Sequence, residues 1–477
     1  MVVYISLLAA VVILGIPLCS KKCGKWGRAV YCVLAALILI FAASVRLNVS
    51  YDYNAYASIY TNLTFFDISD IMRSREEKGF LLPLYILNLI SENYILCFVY
   101  VAVVVYGAVF VYIYRHSDIP WVSAAAFLCF GLFFNSLCFL RQIIAAVVAA
   151  YGMKYAVKGQ PYKFMIMMLM AGTFHWSALI LVPMYFLLRI KPSYTYLGIM
   201  AGLVTVFCIV SRKLMLWVID VFVMYKSYNV ETNVEASMGL TPAYCIMFGL
   251  LFAVCFIFRE RLIAKRESNI VYINCLMFTT IFEIFGVKHA ILSRFAILFY
   301  ITPILYLLPD AVVVIKEYIG EKFTYPKRRT AVSVCSAMVA AVYFIGCYCM
   351  LMANDYNGVM PYDTFLGKDR SALYSDGSGG DYGWSDDEDD IAAEEEELAD
   401  EQSMAAETEA PADVTEENAP SQQTEAPLPT EDNAVTSAEE STTEPDDEEE
   451  EWGDWDDDSF DEDAFNDALV SQLEALG

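Results

Sequence analysis

The sequence predicts an all-α polytopic membrane protein, a multi-helix bundle followed by a disordered acidic tail. Three observations lead to this prediction: long apolar runs, clusters of Lys and Arg between them, and an abrupt change of composition near residue 370. The apolar runs are about 17–23 residues long, and about 20 residues cross a bilayer as a helix. We therefore expect this part of the chain to lie in a membrane and not to form a soluble core.

Charge divides the chain into two parts. The whole chain has 58 acidic residues, 31 basic residues and a formal net charge of −27. All 31 basic residues and 19 of the acids precede Ser371, a difference of +12, and the other 39 acids follow without any Lys or Arg. The acidic part is rich in Ser, Thr, Ala and Pro, a composition typical of disorder. We therefore expect a membrane domain over residues 1–365 and a tail over 366–477.

The apolar runs predict about 10–12 transmembrane helices. The segment 164–188 is interrupted by "TFHWSA", which favours a broken helix or two half-helices. Residues 81–91 and 214–224 are apolar but short, which favours re-entrant or interfacial segments. The remaining candidate spans are 2–19, 29–45, 94–114, 119–139, 141–157, 194–210, 241–258, 270–287, 292–309 and 330–352.

Basic residues predict which loops face the cytoplasm, because short loops rich in Lys and Arg stay inside. The first apolar run is followed, not preceded, by its basic cluster, so it is a transmembrane helix and not a cleaved signal. The number of membrane crossings agrees with these loop assignments only if 164–188 enters the membrane and returns to the same side. This places His175 near the outer surface. The predicted inner loops are 20–28, 259–266 and 316–329, with a weaker pair near 158–163 and 189–191; the predicted outer parts are the N-terminus, 46–93, 139–141, 211–240, 288–294 and the tail.

Arg141 interrupts the apolar stretch "FFNSLCFLRQIIAAVVAAY". A guanidinium keeps its charge, so it cannot enter lipid by losing a proton. It either reaches the headgroups from a helix end or lies in a cavity lined by protein. Asn135 and Gln142 flank it, and the alanines that follow allow close helix packing, which favours the cavity.

Two further ionisable residues occupy predicted helix breaks or turns. Histidine is the side chain best suited to proton transfer near neutral pH, so His175 either transfers protons or is a hydrogen-bonded packing residue. Arg294 lies close to Lys288 and His289 in a turn that we place outside. A basic outer turn either binds an anion such as a lipid diphosphate or anchors to headgroups.

The predicted outer loop 46–93 combines aromatic and acidic residues. "YDYNAY" supplies Asp52, Tyr53 and Tyr56, a combination that either presents a sugar-binding surface or belongs to an interfacial aromatic belt. Glu77 precedes the short apolar segment 81–91 and is a candidate general base if burial raises its pKa. Its neighbour Glu76 is an equal alternative.

Several function classes find no support in the sequence. Most of the 13 Cys residues lie in apolar runs, which indicates small buried residues and not disulfides or a metal site. There is no P-loop, no dinucleotide fingerprint and no clustered metal-ligand spacing. We therefore expect no metal, no cofactor and no nucleic-acid partner.

Taken in order, the motifs resemble the EpsG family of exopolysaccharide membrane proteins, which is related to the Wzy-type O-antigen polymerases. The resemblance covers about residues 1–365, and the acidic tail departs from it. The matching motifs are "YDYNAY" (51–56), "EEKGF" (76–80), "SLCFLRQIIAAVVAAYG" (136–152), "TFHWSALI" (173–180), "SRFAILFYI" (293–301) and "MPY" (360–362).

The resemblance implies a bacterial enzyme of the cytoplasmic membrane with a glycosyltransferase-C-like fold and an extracytoplasmic tail. Its substrate would be a polyprenyl-diphosphate-linked oligosaccharide, polymerised outside for an exopolysaccharide or capsule, among membrane lipids and other assembly proteins. Arg141 and Arg294 would stabilise the leaving diphosphate. Glu77 or His175, in that order, would accept the hydroxyl proton. Asp52, Tyr53, Tyr56, Gln142 and Tyr362 would bind substrate.

Two other functions fit the same residues. A membrane acyltransferase that modifies surface polysaccharide also uses a membrane-embedded His. A lipid-linked sugar transporter would use the arginines to bind diphosphate and would also show a broken helix with an ionisable residue at the break.

Overall fold

The described part of the chain is helical. The computed structural model describes residues 1–74, 76–221, 241–323, 325–366 and 368. Within these residues the only strand-like pairing is an isolated antiparallel bridge between Arg46 and Thr364. The predicted all-α polytopic membrane fold is confirmed, whereas the predicted disorder of the tail concerns residues outside those described.

Helix bounds follow the apolar runs closely. The α-helices are α1 Val2–Leu18, α2 Gly24–Ser44, α3 Tyr53–Asn62, α4 Ile68–Arg73, α5 Lys78–Asn88, α6 Ile95–His116, α7 Pro120–Cys129, α8 Leu132–Cys138, α9 Leu140–Val157, α10 Pro161–Phe174, α11 Leu181–Leu188, α12 Tyr194–Val221, α13 Thr241–Ile257, α14 Arg259–Lys265, α15 Asn269–Gly286, α16 Ala290–Ser293, α17 Ile297–Thr302, α18 Leu308–Lys322 and α19 Pro326–Ala353.

Fewer helices than predicted are long and apolar enough to cross a membrane. Among the described residues there are six such helices, or up to eight if the bent pairs α7–α8 and α13–α14 each count as one span. α1 has only 17 residues, and α10 and α11 are short because the chain breaks at His175. The six are 24–44, 95–116, 194–211, 269–286, 291–322 and 326–353.

One boundary prediction is wrong. Residues 214–221 are not a separate re-entrant segment, because α12 runs without a break from Tyr194 to Val221. The polar residues Ser211, Arg212 and Lys213 made the run look interrupted in the sequence, but none of them breaks a helix. Residues 222–224 of that prediction lie outside the described residues.

Contacts divide the loops between two ends of the bundle as the charge pattern requires. At one end, the basic end, Arg28 donates to the carbonyl oxygen of Ser117 at 2.7 Å, and Lys265 pairs with Asp118 at 2.7 Å. At the other end, the Glu77 end, lie the loop after α2, the breaks at 139 and 175, and the turn at Arg294. Which end faces the cytoplasm stays a prediction.

Residues 161–188 cross into the bundle and come back. α10 stops at Phe174, His175 adopts an extended conformation, and α11 leads back to Arg189. The guanidinium of Arg189 packs against Gly159, so both ends of this segment meet. The predicted broken helix is present, with His175 at its tip.

A C-terminal segment closes the Glu77 end. Residues 357–365 run beside residues 45–51, with the amide of Leu47 donating to the carbonyl of Asp363 at 3.0 Å and that of Ser50 to Gly358 at 2.9 Å. The Tyr4 hydroxyl on α1 donates to the carbonyl of Val359 at 2.8 Å. This segment therefore ties the first and last helices to the start of loop 46–93.

Candidate functional site

Three residues far apart in sequence form one ion-paired cluster. Oε2 of Glu77 accepts a hydrogen bond from Nη1 of Arg141 at 2.7 Å, and Oε1 lies 2.8 Å from Nδ1 of His175. Arg141 also pairs with Glu76. The Glu77 side chain is only 6% exposed, whereas Arg141 and His175 are 26% and 31% exposed. The two partners thus lie between Glu77 and solvent.

The proton arrangement of His175 follows from its partner. A carboxylate only accepts hydrogen bonds, so the contact with Glu77 requires the proton on Nδ1. In the neutral ring, Nε2 then carries a free lone pair. A carboxylate that holds an imidazole in one tautomer is the arrangement by which histidine acts as a general base in hydrolytic triads.

Close packing of two helices brings Glu77 to His175. Glu77 precedes α5 as its N-cap, and His175 follows α10 as its C-cap. A Cβ atom added at Gly79 would lie 2.5–2.8 Å from the side chain and backbone of Thr173. Only glycine permits this approach, because real Cβ atoms do not come so close to backbone.

The break between α8 and α9 places Arg141. Phe139 has φ −92° and ψ 66°, outside the helical region, and α9 starts one residue before Arg141. Asn135, buried in α8, accepts hydrogen bonds from Tyr356 at 2.8 Å and Asn357 at 2.9 Å and donates to the hydroxyl of Tyr300. The helix before the break is therefore held by α17 and by the C-terminal segment.

Tyr56 lies next to this cluster. Its ring packs edge-on against Phe80 at 5.7 Å between centroids. Burial raises the pKa of Tyr56 to about 12, although the nearby Arg141 opposes the increase. The hydroxyl is therefore neutral at physiological pH and available as a hydrogen-bond donor beside Arg141.

Arg294 lies beside the cluster, linked through Gln142. Nε2 of Gln142 donates to the carbonyl of Arg294 at 2.7 Å. The Arg294 guanidinium is exposed and stands 5.0 Å from the centre of the Phe139 ring. Among the described residues no carboxylate lies within ion-pairing distance of it. A cation held on an aromatic face without an acidic partner is available to an anion.

The other predicted substrate residues are not all at the cluster. Tyr53 is buried, stacks on Phe98 at 4.3 Å and donates to the carbonyl of Arg46 at 3.2 Å. Tyr362 donates to the carbonyl of Ala42 at 2.5 Å. Asp52 is the residue immediately before α3 and lies in electrostatic reach of Cys138, as does Arg294. The substrate roles of these residues stay predictions.

Two residues that shape the site were not identified from the sequence. Gly79 lies inside the quoted motif "EEKGF", but only the position of Thr173 shows why a glycine is needed there. Arg46 follows α2 and is 1% exposed. A single Arg immediately after an apolar run was the available signal, but it is also what a headgroup anchor looks like.

The fold and the cluster define a class: a helical, multi-pass membrane protein with a carboxylate–arginine–histidine site at one end of its bundle. The family model of the EpsG family matches residues 29–364, which include every residue of this cluster. The chain belongs to the EpsG family, whose members are exopolysaccharide-related membrane proteins. Neither a curated protein nor a solved structure matches the chain.

Proposed function

We propose that residues 1–365 polymerise oligosaccharide repeat units carried on a polyprenyl diphosphate, outside the cytoplasmic membrane of a bacterium. The observation that supports this best is the Glu77–His175 pair, which provides a general base next to two arginines. Family membership supports a role in exopolysaccharide biosynthesis. Other assembly proteins of the same polysaccharide would be partners, and the acidic tail would be extracytoplasmic.

In the proposed reaction, an acceptor hydroxyl attacks the anomeric carbon of the growing chain. A carbon–oxygen bond forms there, the bond to the diphosphate breaks, and the diphosphate leaves with the electron pair. The hydroxyl proton moves to Nε2 of His175, while Glu77 holds Nδ1–H and stabilises the imidazolium. The exposure of the two side chains favours His175 over Glu77 as the base, the reverse of the order expected from sequence.

The two arginines take different parts in this proposal. Arg141 is engaged with Glu76 and Glu77, so it orients the base and lies next to the reacting centre. Arg294 has no described carboxylate partner and neutralises the charge that develops on the diphosphate. Tyr56 donates a hydrogen bond beside Arg141, to substrate.

A membrane acyltransferase is the second candidate, because a carboxylate-oriented imidazole also serves as base in acyl transfer. The deciding experiment replaces the chromosomal gene with His175→Ala or Arg141→Ala and measures polymer length, acylation and lipid-linked intermediates. We expect single lipid-linked repeat units to accumulate outside and polymer to be lost. Arg261→Ala, which removes an exposed ion pair with Glu321 at 2.8 Å, is the control.

Each alternative has its own outcome in that experiment. Full-length polymer without acyl groups identifies an acyltransferase. Repeat units that accumulate on the inner leaflet identify a transporter. Normal polymer from His175→Ala protein at the wild-type membrane level rejects a catalytic role for this cluster.

A further inference from the structure

Arg46 is a buried cation that the proposed reaction does not use. Its side chain is 1% exposed, its Nε has no hydrogen-bond partner among the described residues, and none of them offers a carboxylate within ion-pairing distance. Removing a guanidinium from water without an ionic partner is costly. A buried, unpaired arginine at the edge of a membrane span therefore indicates a specific structural or functional role.

The contacts of Arg46 indicate what this role is. Nη1 of Arg46 donates to the carbonyl of Leu137 and, at 3.4 Å, to that of Val49. The Ser50 hydroxyl donates to the same Leu137 carbonyl at 2.9 Å. The guanidinium also lies 4.8 Å from the centre of the Phe98 ring. Two side chains from the loop after α2 therefore converge on one carbonyl oxygen.

That carbonyl belongs to the end of a broken helix. α8 ends at Cys138, so the carbonyl of Leu137 is one of the last four, which lack a partner inside the helix. The C-terminal end of a helix carries partial negative charge, and a cation there is stabilising. Arg46 and Ser50 together cap α8.

The capped end is the pivot from which Arg141 projects. Phe139, the residue between α8 and α9, is the non-helical one, so the direction of α9 is set immediately after the cap. Arg141 lies in the first turn of α9 and reaches Glu77 at 2.7 Å. A small change of angle at residue 139 changes that distance directly.

We propose that Arg46 is a positioning residue: by capping α8 it fixes the pivot and holds Arg141 against the Glu77–His175 pair. A lysine keeps the charge but cannot donate from a planar fork while it stacks on Phe98. The activity readouts rest on the proposed polymerase function, whereas the structural readout below does not.

The chain supplies a matched control at the basic end. Nη2 of Arg28 donates to the carbonyls of Ser117 at 2.7 Å and Tyr114 at 3.2 Å. Arg28 therefore caps the C-terminal end of α6. Arg28→Lys is therefore the same chemical change at a helix end with no proposed site residue beyond it.

The experiment compares full-length wild type, Arg46→Lys, Ser50→Ala and Arg28→Lys, with His175→Ala as the inactive reference. Hydrogen exchange of peptides covering 135–145 reports on the pivot, and polymer formation by membrane vesicles across pH reports on the site. We expect Arg46→Lys to speed exchange at 135–145 and to lower the rate by up to about 10²-fold, the effect of misplacing a group by an ångström. Ser50→Ala should have a smaller effect of both kinds.

The pH profile separates positioning from stability. Glu77 is shared between Arg141 and His175, so a displacement of Arg141 changes the charge that faces the imidazole. The pH profile of the rate should then differ from that of wild type, whereas a loss of folded protein alone lowers the rate equally at every pH. Arg28→Lys should leave the shape of the pH profile and the exchange at 135–145 unchanged, whatever it does to the melting temperature.

Two results would overturn the inference. One is unchanged exchange at 135–145 in Arg46→Lys; the other is a wild-type rate and pH profile in that variant. If Arg46→Lys protein does not accumulate, Ser50→Ala decides by the same criteria. If His175→Ala leaves polymer formation intact, the proposed function fails, and the exchange data still test the cap.

Discussion

Nδ1 of His175 lies 2.8 Å from Oε1 of Glu77, although 98 residues separate the two in sequence. The pair depends on two short helices that meet end to end, one starting at Lys78 and the other stopping at Phe174. Arg141 completes the cluster from a third helix.

The two adjacent carboxylates should differ sharply in importance. Glu77 contacts both Arg141 and His175, whereas Glu76 contacts only Arg141 and is 32% exposed. Glu77→Gln removes the charge and leaves a single acceptor oxygen for two partners. With that oxygen towards Arg141, the amide NH2 faces Nδ1 of His175 and favours the wrong imidazole tautomer, so polymer formation should fall by about 10²–10⁴-fold. Glu76→Gln should cost less than about tenfold. Equal losses in the two variants, measured as polymer per unit of membrane protein, would contradict this assignment.

Gly79→Ala should move Glu77 away from His175 without changing any charged residue. The new methyl group would lie within 2.8 Å of the Thr173 backbone, so α5 must move away from α10. Such overpacking costs about 1–3 kcal/mol in unfolding free energy, and the displacement should lower the rate by about 10²-fold.

Gly107→Ala is the control for this substitution, because nothing lies within 4 Å of a Cβ there. It should leave both thermal stability and polymer formation close to wild type. A Gly79→Ala protein with wild-type activity would show that the close approach of α5 and α10 is not required.

Arg294→Ala should weaken substrate binding more than turnover. In the proposed reaction its exposed guanidinium binds the diphosphate, and a hydrogen bond to a charged group contributes about 1.5–3 kcal/mol. The concentration of lipid-linked repeat unit needed for half-maximal rate should rise by about tenfold or more. An unchanged half-maximal concentration together with a lower maximal rate would place Arg294 away from the diphosphate.

His289 should make the protein sensitive to mild acid. Burial, together with the nearby Lys288 charge, lowers the pKa of His289. The unfolded chain then takes up its proton first, at about pH 6.5, so the stabilisation is complete above that pH and declines as the pH falls towards the lower folded pKa. Thermal unfolding in detergent between about pH 7.5 and 5 should show this loss, and His289→Gln should reduce it. The same slope in wild type and variant would refute the prediction.

The sequence predicted the helices and the residues of the cluster but not the contacts that join them. Apolar run length predicts a span because the bilayer has a fixed thickness, and the alternation of basic loops correctly grouped Arg141 and His175 at one end. The continuation of α12 through residues 214–221 was missed because polarity was mistaken for a break. Gly79 and Arg46 act through backbone atoms of Thr173 and Leu137, which no side-chain pattern in the sequence reveals.

The most direct test of the central claim is reconstitution of the purified full-length chain in liposomes with polyprenyl-diphosphate-linked repeat units. Wild-type protein should convert them into a ladder of longer lipid-linked chains and release free polyprenyl diphosphate. His175→Ala and Glu77→Gln proteins should leave single units, while Arg261→Ala should retain the ladder. A ladder of equal length from His175→Ala protein would contradict the account.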